Sequence, residues 1–148
     1  MKIRTSSCLM LVLSVFLLSA TVRASTNDMP DNLNAIMQEM MVHYRVIFRQ
    51  VRSGNSNKDT EAIRNFQKLN HRATDFMPKS IQEIVDREKQ RVEYLGYQIL
   101  MTDLFQNSLR LEQAFLESNS DVMTRVFDRM TQIYSEGHSR YNRGPGFY

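Results

Sequence analysis

Cysteine is almost absent from this chain. Of 148 residues only Cys8 carries a thiol, and it stands before an apolar run near the start. Lipid attachment at a cleavage site would need it after that run. If the run is removed, no thiol remains. A disulfide framework, a thiolate nucleophile and a thioether link to a cofactor are then all excluded. There is no Trp and only five Gly, against ten Met. That balance, with no alternating strand pattern anywhere, points to an all-helical chain. No glycine-rich loop of the kind that cradles phosphate is present. No nucleophile–base pair and no line of clustered carboxylates stands out either, so the chain is not expected to be an enzyme.

Long hydrophobic runs are also scarce. The single one is "LMLVLSVFLL" (Leu9–Leu18), preceded by Lys2 and Arg4 and followed by small residues up to Ala24. This is the layout of a secretory signal peptide over residues 1–24, cleaved after Ala24, with Ala20 as the alternative. A transmembrane anchor is the competing reading, but no second apolar run follows. The expected organisation is a leader of 1–24, one helical domain of 25–143 and a disordered tail of 144–148. Export of a chain without thiols is expected to lead to the periplasm.

The basic balance is carried by the leader. Lys2, Arg4 and Arg23 leave with it and no acid does, so the formal charge falls from +3 to zero. A nucleic-acid partner is therefore not expected, although the whole-chain pI of 9.2 invites one.

Turn signals at "SGNSNKD" (Ser53–Asp59), at Pro78 and at "ESNSD" (Glu117–Asp121) divide the rest into four helical segments. The first runs from about Asp31 to Arg52. Its seam is Leu33, Met37, Met40, Tyr44, Ile47 and Val51, at alternating spacings of four and three. The second, about Thr60–Phe76, repeats the spacing with Ala62, Phe66, Leu69, Ala73 and Phe76. The third, about Ser80–Glu117, shows Tyr97, Met101, Leu104, Ser108, Leu111 and Phe115. Its charged beginning, "QEIVDREKQRVEY", is either a separate short helix or a frayed lead-in. The fourth, about Asp121–Arg140, carries Met123, Val126, Met130, Ile133 and Gly137, capped by Ser120 or Asn119. Four such stripes with short connections predict an antiparallel up-down-up-down four-helix bundle.

In that topology the start of the first helix and the end of the fourth share one end of the bundle. Met37 and His138 come to one level. A thioether and an imidazole facing each other there can be the two axial ligands of a haem iron. Each residue also has a plainer role open to it. Met37 can be core filler, and His138 can answer the helix dipole. Met40 and Met41 are close enough to Met37 for the register to shift. His43 lies on the flank of its stripe. His71, two residues past Leu69, is expected at the surface.

Three segments resemble the soluble cytochrome b562 family. In "YSEGHSRY" the histidine is followed by two residues, one of them basic, and a Tyr. In "MQEMMVHYRVI" Met37 precedes a basic-Val-Ile triplet by eight residues. "YLGYQILM" has the aromatic-Gly-aromatic pattern of the third helix. The resemblance covers nearly all of the chain after the leader, in the same helix order. It implies a periplasmic electron-transfer protein that binds one haem b non-covalently, with Met37 and His138 as cofactor-binding residues and iron ligands. Relatives with covalent haem use Cys-x-x-Cys-His, whereas Tyr134 and Gly137 occupy those places here. The resemblance further implies Leu33, Met40 and Tyr97 as haem neighbours, Tyr141 beside His138, and Arg140 or Arg143 near a propionate. Expected partners are haem and redox proteins, with a monomer and no membrane span after cleavage. The chain departs from the family at Asn142, where an Arg is usual, and at Glu93, where an aromatic is usual. A competing expectation from another class is a haem-free helical adaptor of the cell envelope that uses a Met-rich face.

Overall fold

In the computed structural model, residues 30–54 and 59–141 are described. The leader, the tail and Arg143 lie outside the described residues. The described chain is helical, with no strand. It contains α1 (Leu33–Arg52), α2 (Glu61–Ala73), α3 (Lys79–Gln82), α4 (Arg87–Leu116) and α5 (Ser120–Tyr141).

Five helices replace the four expected, because the third segment is broken. Pro78 starts the single turn α3, whose orphan amides fold back on the Pro78 carbonyl. The chain then restarts at Asp86. The Asp86 carboxylate accepts from the Glu88 and Lys89 amides at 3.0 and 3.1 Å, so the charged run "DREKQR" is a capped helix start. The second helix is also shorter than its stripe, ending at Ala73 with Phe76 in the connection. At the other starts, Asn32 caps α1 through the Ala35 amide at 2.9 Å. Asn119 caps α5 through the Val122 amide at 3.2 Å. The α4–α5 turn needs a left-handed residue, and Ser118 takes it at φ 56°.

Packing follows the seams. Met40, Ile47, Phe66, Leu69 and Ala73 are buried from α1 and α2. All six seam residues of α4, from Tyr97 to Phe115, are buried, and so are Met123, Met130 and Ile133 of α5. Each Leu-sized side chain so buried contributes about 1.5–3 kcal/mol. The helices pack α1 on α2, α2 on α4 and α4 on α5, while α1 and α5 meet more sparsely.

The α2–α4 contact is polar at its centre. Gln67 donates to the Ser108 carbonyl at 3.3 Å and to Glu112 at 3.0 Å. Asn70 has no exposed surface; in the orientation that satisfies its amide it donates to the Met101 carbonyl at 3.0 Å and accepts from the Phe105 amide at 3.3 Å. Such buried amides are tolerated because each finds a partner. Nearby, Tyr97 and Tyr94 donate to the Ala73 and Thr74 carbonyls at 3.0 and 3.1 Å, closing the end of α2.

Candidate functional site

The sparse α1–α5 contact leaves a cavity of about 970 Å³. Its walls are largely apolar. On the α1 side stand Leu33, Met37, Met40, Met41 and Tyr44. Tyr97, Leu100, Met101 and Leu104 form the α4 side, and α5 adds Ile133, Tyr134, Gly137, His138 and Tyr141. Pro78, Lys79 and Ser80 close one end. That closure is anchored, since the Ser80 hydroxyl donates to the Tyr141 carbonyl at 2.6 Å.

Met37 and His138 both border this cavity and are both half-buried. His138 sits in the last turn of α5. Its Nδ1 lies 3.0 Å from the Tyr134 carbonyl. With the proton on Nδ1, that contact is a hydrogen bond and the Nε2 lone pair is the one left for a ligand. The Tyr134 ring, 3.9 Å between centroids, fixes the imidazole from one side. Tyr134 in turn stacks on Tyr44 at 5.5 Å and 17°. The Tyr44 hydroxyl shares a 2.7 Å hydrogen bond with Thr131, whose own hydroxyl donates to the Phe127 carbonyl. Tyr44 is therefore the donor. Burial pushes the phenols of Tyr44 and Tyr134 above their ordinary value, so this stack stays neutral at physiological pH.

Two glycines bring α5 close to α4 beside the cavity. A Cβ on Gly137 would stand 3.0 Å from Leu100 Cδ2. A Cβ on Gly96 would stand 3.0 Å from the Tyr141 hydroxyl and 3.4 Å from Arg140 Nη2. Gly137 of α5 is thus a close-approach residue more than a seam filler.

Charge is confined to the rim. Arg45, Lys79 and Glu83 border the cavity and are exposed, and Glu83 pairs with Lys79 at 3.8 Å. Arg45 also acts on Tyr134, where its charge opposes the upward push of burial. Arg140 does not border the cavity. Its guanidinium binds Glu93 at 3.1 Å, which gives the unexpected acid at position 93 a partner on α5.

Leu33, Met40 and Tyr97 border the cavity with Met37 and His138. His71 is exposed and packs edge-on to Phe105 at 6.3 Å. Tyr141 borders the cavity, but the ring it meets is Tyr97, at 5.5 Å and 85°. The ring against His138 is Tyr134, which the seam pattern did not mark. Its signal was available: it lies four residues before His138, on the same face of one helix. The Pro78–Ser80 closure was missed as well, since a connection carries no periodicity.

An apolar slot with a soft sulfur, an orientable imidazole and the Arg45 cation at its rim suits a flat, largely apolar ligand bearing an anionic group and a metal. Its volume falls within the range of about 300–1,000 Å³ usual for cofactor and ligand pockets. The residues present fit haem on both grounds. Among the described residues no cluster of three or more His, Cys, Asp or Glu side chains is placed to hold a metal ion, and none of those helices is long and apolar enough to cross a membrane. Comparison with protein-family models, with curated proteins and with solved structures gave no match to this chain.

Proposed function

We propose that this chain is a periplasmic electron-transfer protein of the cytochrome b562 type, a four-helix bundle of α1, α2, α4 and α5 that binds one haem b non-covalently. The observation that carries this reading is the juxtaposition of Met37 and His138 on one apolar cavity, with His138 Nδ1 engaged by the Tyr134 carbonyl. The order of helix packing supports the bundle, with α3 an appendage of the α2–α4 connection.

Met37 and His138 would be the residues that hold the iron. The Tyr134 carbonyl and ring keep the imidazole in one tautomer and one orientation. The Met37 thioether, a neutral and soft donor, favours the reduced metal and so raises the potential. Leu33, Met40, Leu100 and Tyr97 exclude water from the slot. Arg45 stands at the rim, where a propionate would meet solvent, while Lys79 there is paired with Glu83. When bound, haem supplies a one-electron couple between ferric and ferrous iron.

The test is an absorption spectrum after haemin is added to the purified apo chain. Sharp low-spin bands on reduction, saturating at one haem per chain, are expected. Met37→Ala should convert the spectrum to a five-coordinate form, Met41→Ala should not, and His138→Ala should lose most of the affinity. Absorbance of free haemin alone refutes the proposal and leaves the haem-free adaptor as the working reading.

A further inference from the structure

α4 is apolar on two opposite sides. One side is the buried seam from Tyr97 to Phe115. On the other, Val92, Leu95, Ile99, Leu109 and Leu116 are 57, 56, 62, 46 and 48% exposed. Nothing in the fold requires large aliphatic side chains there. Scattered surface leucines would need no explanation, but these five share one register. With Thr102, Gln106 and Gln113, all exposed, they complete an uninterrupted seam at alternating spacings of three and four, the repeat by which helices pair.

We infer that this seam joins two copies of the chain, α4 against α4, antiparallel about a two-fold axis at Leu104. The residue types along the seam argue for a second copy, because most of them match when the seam is read from both ends. A two-fold interface must be complementary to itself. Each seam position before Leu104 has a counterpart equally far after it: Val92 with Leu116, Leu95 with Gln113, Ile99 with Leu109, and Thr102 with Gln106. Antiparallel pairing places those counterparts in the same layer. Val92–Leu116 and Ile99–Leu109 then form apolar layers towards both ends of the seam, with the mixed Leu95–Gln113 layer between them. The Thr102–Gln106 layers lie at the centre, where polar groups fix register at some cost in strength.

Charge at the flanks agrees. In this register Lys89, on the flank of the seam, comes within two residues of the level of Glu117 of the second copy, and the reverse pair forms at the other end. The Asp103 carboxylates near the axis are each neutralised within their own chain, by Arg129 at 2.7 Å. The seam is about 36 Å long at 1.5 Å per residue. One helix pair is a small contact beside the roughly 800 Å² per partner of standard interfaces, so association should be concentration-dependent. This replaces the monomer expected from the sequence, and it does not rest on the haem reading.

The experiment is sedimentation velocity of the full chain, expressed with its own leader, from 1 to 200 µM (chosen to span weak association, about micromolar in Kd). A reversible monomer–dimer equilibrium is expected. Ile99→Glu should weaken it at least tenfold with helix content unchanged by circular dichroism. Val85→Glu removes the most exposed aliphatic side chain, at 94%, outside α4; it should leave the equilibrium alone. In a Cys8→Ser background, Ile99→Cys with Leu109→Cys should oxidise to a covalent dimer. Leu95→Cys with Leu109→Cys, four residues out of register, should not. A chain monomeric throughout overturns the proposal, as does a dimer that survives Ile99→Glu or cross-links equally in both registers. A chain that stays monomeric but co-sediments with anionic lipid vesicles overturns it too, and makes the seam a membrane-facing surface.

Discussion

Gly137→Ala should make the apo chain more stable and its cavity a poorer host for haemin. Gly137 lies inside α5, four residues before its end at Tyr141. In a helix interior, Ala is favoured over Gly by about 0.8–1.0 kcal/mol. Against this stands one contact: the new Cβ would be 3.0 Å from Leu100 Cδ2. That methyl must move by a few tenths of an ångström. It is the far end of a rotatable side chain, half-buried and bordering the cavity, so it has room to turn. A partly off-rotamer leucine costs roughly 0.5 kcal/mol. The net is a gain of about 0.5 kcal/mol, or roughly 2–3 °C in Tm for a domain of this size. The room that Leu100 takes, however, is cavity. One misplaced methyl in a fitted pocket costs about tenfold in affinity, the lower end of the usual range. Urea unfolding of the apo chain and haemin titration measure the two effects separately. A variant less stable by about 1 kcal/mol or more would show that Leu100 is locked, and the argument from free space fails. Unchanged haemin affinity with the expected gain in stability would remove Leu100 from the wall of the binding slot.

Other substitutions test the local reasoning. Ser118→Gly should stabilise the chain by about 0.5–1 kcal/mol in urea unfolding, because Ser118 sits at φ 56°, where a side chain is penalised. Asp86→Ala should cost about 1 kcal/mol and fray the start of α4 in amide exchange, since two amides lose their acceptor. Glu112 should be a source of acid sensitivity. Burial pushes its pKa up, but hydrogen bonds from Arg64 at 2.6 Å and Gln67 at 3.0 Å outweigh that and hold it below its ordinary value of 4.5. A carboxyl with a depressed folded pKa adds stability above its unfolded pKa and loses it as pH falls through the folded one. Melting temperature should therefore fall between about pH 5 and pH 3, and less steeply in Glu112→Gln. Equal slopes in both proteins would leave Glu112 without that role.

How much of this was legible in the sequence depended on whether a feature is periodic. The seams of α2 and α4 were read residue by residue, because a narrow stripe at spacings of three and four can be buried in few ways. Ile36, Ile63 and Phe127 were missed although they are buried. Each sits beside a two-position seam, and a helix in a globular core buries a wider face than that seam. Gln67 and Asn70 were invisible for the opposite reason: their type says surface, and only the carbonyls of α4 opposite them make burial tolerable. The break between α3 and α4 was half visible. Pro78 marked the turn, but the capping role of Asp86 was hidden in a charged run that also suits a solvated helix face. Met37 and His138 were legible as a pair from topology alone. The Tyr134 carbonyl and the rim cation Arg45 needed coordinates.

α4 shows where periodicity stops deciding. A repeat of three and four fits Tyr97–Met101–Leu104–Ser108–Leu111–Phe115 and fits Val92–Leu95–Ile99–Leu109–Leu116 equally well. Spacing says that both are seams, not which one faces inward. Side-chain volume breaks the tie. The first seam carries the two large rings, Tyr97 and Phe115, and the tyrosine has a hydrogen-bond acceptor waiting at Ala73. Burying the second seam in its place would turn those rings into water and leave Thr102, Gln106 and Gln113 facing the core. Unpartnered amides there cost about 1–3 kcal/mol each, which is enough to fix the rotation of the helix. The losing seam stays apolar on the outside, and that excess over the needs of the fold is what makes a second helix the natural cover for it.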